Sequence, residues 1–85
     1  MRMVFHAHFK KRYQKLRPLQ KHIDEKLLLF GKNPFDPILN NHSLQGKFLG
    51  YRSINITGDY RAIFRLLDDD TALFVEVDTH GNLYK

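Results

Sequence analysis

The sequence predicts an α+β fold in the order β-α-α-β-β-β, a mostly antiparallel sheet with two N-terminal helices packed on one face. Two observations carry this: between residues 9 and 30 apolar side chains recur at spacings of three and four, and after Gly50 they recur at two. A third bounds it. Eighty-five residues, 42% hydrophobic and 13% aromatic, suffice for one core and not for two, so residues 1–85 are expected to form a single domain.

The elements follow in order. "RMVFH" is a short apolar run that suits a first strand. Phe9, Tyr13 and Leu16 mark one helical stripe, with Lys10, Lys11, Arg12 and Lys15 between them on a basic outer face. Pro18 ends or kinks this helix and suits the first turn of the next, whose stripe is Leu19, Ile23, Leu27 and Phe30. Gly31 and Pro34 are stop signals. "KNPFDPILNNHSLQGK" has no sustained period and reads as a surface loop carrying His42. In "YRSINI" Arg52, Ile54 and Ile56 share a face, and Tyr51, Ser53 and Asn55 share the other. "TGD" turns the chain into a strand whose apolar face is Tyr60, Ala62, Phe64 and Leu66, opposite Asp59, Arg61, Ile63 and Arg65. "DDD" is a hairpin turn, and the last strand alternates Leu73, Val75 and Val77 with Phe74, Glu76 and Asp78.

Composition excludes several functions. There is no cysteine, hence no disulfide framework, thiolate metal site or cysteine nucleophile. No apolar run approaches the roughly 18 residues of a membrane span, and the start has no long apolar core or small-residue cleavage site, so a soluble, cytoplasmic protein with no membrane partner is expected. The net charge is +5, and nine of the fourteen basic residues fall within residues 1–32 against only Asp24 and Glu25. A polyanionic partner, nucleic acid or an acidic protein segment, would complement that half; a solvated helix face would also account for it.

Arginines in the most strand-like segment, "GYRSINITGDYRAIFRLL", raise the chemical question. Arg61 and Arg65 fall on the face the helices leave open, with Asp59 beside the turn, Asn55 on the facing strand and His80 just past the last strand. His42 could fold over the same face. A carboxylate, two imidazoles and a guanidinium suit phosphodiester cleavage in RNA: the 2′-OH must lose a proton, the 5′-oxygen must gain one, and the phosphate oxygens gain charge. The arginine fork fits those oxygens, a terminal aromatic such as Tyr84 could stack on a base, and this chemistry requires no metal or other cofactor. Each residue also has a purely structural account: Asp59 as a turn residue, His42 and His80 as loop residues, Arg52 as a salt-bridging strand residue, Tyr84 as a core aromatic. His6 and His8 have the spacing of two ligands on one strand face, with no further cluster to complete a zinc site.

"NNHSLQGKFLGYRSINITGDYRAIFRLLDDDTALFVEVDTHGNLY" resembles the RelE superfamily of bacterial type II toxin–antitoxin toxins, in its YafQ-like branch. The resemblance rests on "H-x-L-x-G", "GYR", "GDYR" and the final "TH…LY" in combination. It implies a RelE/ParE-like, microbial-RNase-like fold and a ribosome-dependent mRNA endonuclease that cuts in the A site, inhibits translation and is held inactive by a cognate antitoxin. It further implies catalytic roles for His42, Asp59 and His80, a terminal aromatic at Tyr84, and a phosphate-facing Arg61. Lys10, Lys11, Lys15, Lys47, Arg52 and Arg65 are then expected to contact RNA, the basic helix lying against ribosomal RNA. Asn55 departs from the pattern, since YafQ-like members carry a further histidine there and related branches an arginine. Two other readings stay open: a non-nucleolytic, ParE-like gyrase poison, and a catalytically faded member that only binds its antitoxin.

Overall fold

In the computed structural model, which describes residues 1–85, the chain enters through β1 (Arg2–Phe5) and turns at once into α1 (Ala7–Lys15). The turn is capped by His6, whose Nδ1 accepts the His8 amide at 3.0 Å, satisfying one of the free N–H groups of the first helical turn. Pro18 sits in a 3₁₀ turn (Arg17–Leu19) that leads into α2 (Gln20–Lys32). The Tyr13 hydroxyl ties the two helices by donating to Asp24 at 2.7 Å. Gly31, read as a stop, lies inside α2, where a Cβ would meet the Met3 methyl at 3.4 Å, so its smallness lets the helix approach β1.

Five strands form the sheet, in the order β1-β5-β4-β3-β2, with β1 and β5 parallel and all other pairs antiparallel. The α+β arrangement is the one the sequence predicts. The extra strand is β2 (His42–Ser43), which pairs with β3 (Arg52–Asn55); the segment expected to be plain loop therefore closes one edge of the sheet. Two residues are too few to show a period. β4 (Tyr60–Asp68) and β5 (Thr71–Thr79) form the long central hairpin, and the Asp68 carboxylate accepts the Asp70 amide at 2.8 Å to close its acidic turn.

The helices cover one face. Phe9, Ile23 and Phe30 descend onto Ile54, Ile56, Ala62, Phe64, Ala72, Phe74 and Val77, all buried. Phe74 is the hub, with ring centroids of Phe9, Phe30 and Phe64 at 5.7, 5.2 and 5.1 Å. Burying each such ring contributes about 1.5–3 kcal/mol. Two strand faces differ from the expected ones. In β5 the core residues are Ala72, Phe74 and Val77, because a bulge between the Ile63–Glu76 and Phe64–Phe74 pairs inserts one residue and reverses the alternation. Leu73 and Val75, which share an alternation with Val77 in the sequence, lie on the other face. Leu66, expected to extend the core face of β4, is 48% exposed because the hairpin runs out beyond the helices.

The second face is not simply polar, as the sequence suggests. Leu44, Ile63 and Leu83 are buried against Phe48, Tyr51 and Val75 in a small satellite cluster. It is built from the segment after β2, a 3₁₀ turn (Gly46–Phe48) and α3 (His80–Leu83), which folds back over the sheet with Thr79 as its N-cap. No helix is long and apolar enough to cross a membrane.

Candidate active site on the open face of the sheet

Directly paired residues of antiparallel strands point to the same face. The register thus sets two rows on the side away from α1 and α2: His42, Ser53 and Ile63 in one, Asn55, Arg61 and Asp78 in the next. His80 begins where β5 ends, and its amide donates to the Asp59 carbonyl at 2.9 Å. Arg61 and His80 are then one strand and two residues apart, roughly 8 Å between Cα atoms. Neither lies beneath the helices.

Arg61 is held by its own turn. Its Nη1 donates to the carbonyls of Thr57, Gly58 and Tyr60 at 3.0, 3.1 and 3.2 Å, which fixes the guanidinium plane while leaving Nε and Nη2 unbonded. No carboxylate pairs with it. The nearest candidate by register, Asp78, is taken: its Oδ1 accepts from Arg12 at 3.1 Å, from the Asn82 amide at 3.1 Å and from the Thr79 N–H at 2.7 Å. Burial alone would raise the Asp78 pKa, but the Asn82 and Thr79 hydrogen bonds and the charges of Arg12 and Lys85 outweigh it and hold the carboxyl below the usual range.

The remaining groups divide in two. Around the 57–60 turn stand exposed Asp59, Arg61, exposed His80 and Tyr84, whose ring lies 4.8 Å from the His80 imidazole and 6.0 Å from Phe48. Tyr84 is 41% exposed, so part of its ring is open to solvent beside these two neighbours. His42 stands apart on edge strand β2, separated from Arg61 by β3. Its Nδ1 meets the Asn40 carbonyl at 2.8 Å. A carbonyl only accepts, so Nδ1 carries a proton, and the tautomer this selects has its lone pair on Nε2, the form of a proton acceptor. Asn40, at φ 46, takes the left-handed conformation that aims this carbonyl.

Asn55 pairs with Arg61 from β3, the strand between β2 and β4, and its Oδ1 is the one buried side-chain polar atom of the chain without a partner. The sequence marked Asn55 as a departure; its buried acceptor is what the fold adds.

Of the residues expected to contact RNA, Arg65 shares the open face and has no ion-pair partner, and Lys47 lies in the segment over that face with its ammonium 5.3 Å from the Phe48 ring centroid. Arg52 does not join them. It points to the helix side, where Nε donates to Asn41 at 2.7 Å and the guanidinium lies 5.5 Å over Phe35. Lys10, Lys11 and Lys15 are exposed on α1, on the far side of the sheet. His6 and His8 are not on a strand face: His6 is the helix cap and His8 bonds Glu76 at 2.8 Å, and no three His, Asp or Glu groups gather as a metal site would require.

No protein-family model matches the sequence, and no curated protein does. Solved structures do. E. coli YafQ superposes with a TM-score of 0.83 over 100% of both chains at 21% identity. The chain has the fold of YafQ. E. coli YafQ in the DinJ–YafQ toxin–antitoxin complex matches at TM-score 0.68 and 25% identity over 98% of this chain and 96% of that one. A YoeB/ParE toxin from Agrobacterium tumefaciens matches at TM-score 0.77 and 19% identity over 94% and 99%. On this YafQ-like frame the residues that sequence reasoning missed are Arg12 and Asp78, which tether α1 and α3 to the rim, and the satellite cluster beneath α3. The alternating Ile63 and Val75 were its only visible trace.

Proposed function

We propose that this chain is the toxin of a toxin–antitoxin pair, a single-domain cytoplasmic endoribonuclease that cuts mRNA in the ribosomal A site and is restrained by a cognate antitoxin. The observation that carries this reading is that Arg61 and Arg65 share the open face without any carboxylate of the chain to neutralise them. An anion from outside completes them. Proton-handling groups stand beside Arg61, which makes a scissile phosphate the anion that uses every part.

In this mechanism Arg61 Nη2 and Nε grip the phosphate oxygens as charge builds there. The bare Nε2 of His42 accepts the 2′-OH proton, and the exposed imidazole of His80, next to Asp59, protonates the departing 5′-oxygen. Tyr84 stacks on the adjacent base. Lys47 and Arg65 hold phosphates farther along the strand.

Expression of the chain without an antitoxin should arrest growth, with new 5′ ends appearing in message by primer extension in a translating extract. Arg61→Ala removes a well-placed donor worth about 3–4 kcal/mol, which corresponds to a loss of roughly 100- to 1,000-fold in single-turnover cleavage. Arg61→Lys, which keeps the charge and loses the fork, should recover only part of it. His80→Ala should relieve the arrest with the fold intact by circular dichroism. Variants at both positions as toxic as the parent would rule the reading out, and DNA damage with intact message would favour gyrase poisoning instead.

A further inference from the structure

A second concavity lies on the same sheet face, about 460 Å³ in volume and lined by His6, His8, Tyr51, Arg65, Leu73 and Val75. Its floor is apolar, made by Leu73, which pairs with Arg65 across the hairpin, and by Val75 of the satellite cluster. Its rim offers donors. The Arg65 guanidinium makes no hydrogen bond or ion pair within the chain. His6 Nδ1 accepts the His8 amide, so the neutral ring carries its proton on Nε2 and presents a donor. The Tyr51 hydroxyl is likewise unbonded, and its ring meets Phe48 edge-on at 6.3 Å. His8 is the exception, being engaged by Glu76 at 2.8 Å.

Donors around an apolar floor with an aromatic wall match one ligand class well: a nucleotide unit of single-stranded RNA, phosphate on Arg65 and His6, base against Tyr51, Leu73 and Val75. The volume falls within the range of small-molecule pockets, roughly 300–1,000 Å³. The position matters as much. Arg61 and Arg65 stand four residues apart on one strand, about 13 Å at ~3.3 Å per residue, a span of no more than about four nucleotides at ~3.4 Å each. Tyr51 and Val75 belong both to this basin and to the cluster under α3, so the basin adjoins the packing that holds α3.

We infer that His6, Tyr51 and Arg65 form a second RNA subsite, which holds a nucleotide of the message a few positions from the scissile phosphate and so sets how the strand threads across the sheet. The inference rests on the cleavage reading for the direction of the strand, and its test is separable from it.

The probes are a fluorescent 2′-O-methyl RNA hexamer, which spans both sites and cannot be cut, and a 2′-O-methyl dinucleotide, which spans one. Arg65→Ala should weaken the hexamer about tenfold in anisotropy titrations, the low end for a hydrogen bond to a charged group because Arg65 is exposed, and leave the dinucleotide unchanged. His6→Asn, which retains a helix-capping oxygen and removes the Nε2 donor, should weaken the hexamer roughly threefold with no loss of helix content. Tyr51 ring resonances should shift on adding the hexamer and not the dinucleotide. Unchanged hexamer affinity in Arg65→Ala, a silent Tyr51 ring, or an oligoglutamate peptide that displaces the hexamer at equal concentration would overturn the inference, the last by making the basin a protein-carboxylate site. Arg61→Ala separates the two readings: if dinucleotide binding survives it, the cleavage centre is wrong, whereas the basin stands or falls on Arg65 and Tyr51.

Discussion

At Asn55 the sequence and the fold pull in different directions. A carboxamide on a central strand is a poor strand former, and its Oδ1 is buried without a donor, a state that costs about 1–3 kcal/mol for an acceptor withdrawn from water. Ordinary selection for stability would place an apolar side chain there. Asn55 stands on β3, between the strands that carry His42 and Arg61, and on the proposed reading a ribose hydroxyl or a base amino group of bound RNA supplies the missing hydrogen. Asn55→Leu, close in size and without the acceptor, should therefore raise the melting stability of the free protein by about 1 kcal/mol while weakening binding of a 2′-O-methyl RNA by roughly tenfold. Thermal denaturation and anisotropy on the same variant check both signs. A variant that is less stable and binds as before would show that the amide serves the fold alone. Asn55→His would instead restore a titrating group beside Arg61, at the position where the YafQ-like pattern carries one.

Among the elements, α3 is the one whose placement decides the chemistry on the proposed reading, because its first residue is His80. Four residues cannot hold a helix by themselves. Leu83 anchors it in the satellite cluster, and Asp78 binds its Asn82 side chain while also accepting from Arg12 of α1. Since the Asp78 carboxyl is held below its usual range, the folded state favours the ionised form; the stabilisation is full above the unfolded value, ~3.9, and is lost as pH falls through the lower folded value. Asp78→Asn should accordingly cost about 1–3 kcal/mol at pH 7, the worth of hydrogen bonds to a charged group, and the difference from the parent should shrink progressively as pH falls below ~3.9 in denaturation curves. A gap that persists unchanged at pH 3 would mean that packing, not the carboxylate, holds α3. The same element marks the limit of what the sequence discloses. The helical stripes and the alternation of β4 were legible because long periodic runs leave a strong pattern. The β5 bulge was not, since Leu73, Val75 and Val77 satisfy an uninterrupted alternation just as well, and only pairing with β4 reveals the inserted residue. His42 reads as loop because β2 is two residues long, and His6 reads as a strand residue because capping by an imidazole has no sequence signature comparable to serine or aspartate. Arg61 and Arg65 were legible as a problem, two cations on one face, while the absence of a carboxylate beside them is a fact of the folded register.

At the scale of the molecule, a body of 31 × 28 × 26 Å carries positive charge on two sides. Arg61, Arg65 and Lys47 face outward from the open sheet, whereas Lys10, Lys11 and Lys15 line the outer surface of α1 across the thickness of the core. One extended strand of RNA cannot lie along both. On the proposed reading the open face takes the message and the helix face rests on ribosomal RNA, so the two sets should separate experimentally into catalysis and docking. Each phosphate neutralised releases condensed counterions and steepens the salt dependence of binding by about 0.7 for single strands and 0.9 for duplex. Replacing Lys10, Lys11 and Lys15 together by glutamine should flatten the plot of log affinity against log salt for ribosome binding by about 2 to 3, the sum of three such contacts, and leave single-turnover cleavage at saturating ribosome unchanged. Arg61→Ala should do the reverse, cutting the rate with a slope change of about 1 or less. If the triple variant keeps the parental slope, α1 faces solvent on the ribosome and the basic half of the sequence serves another partner, for which the acidic segment of an antitoxin is the next candidate.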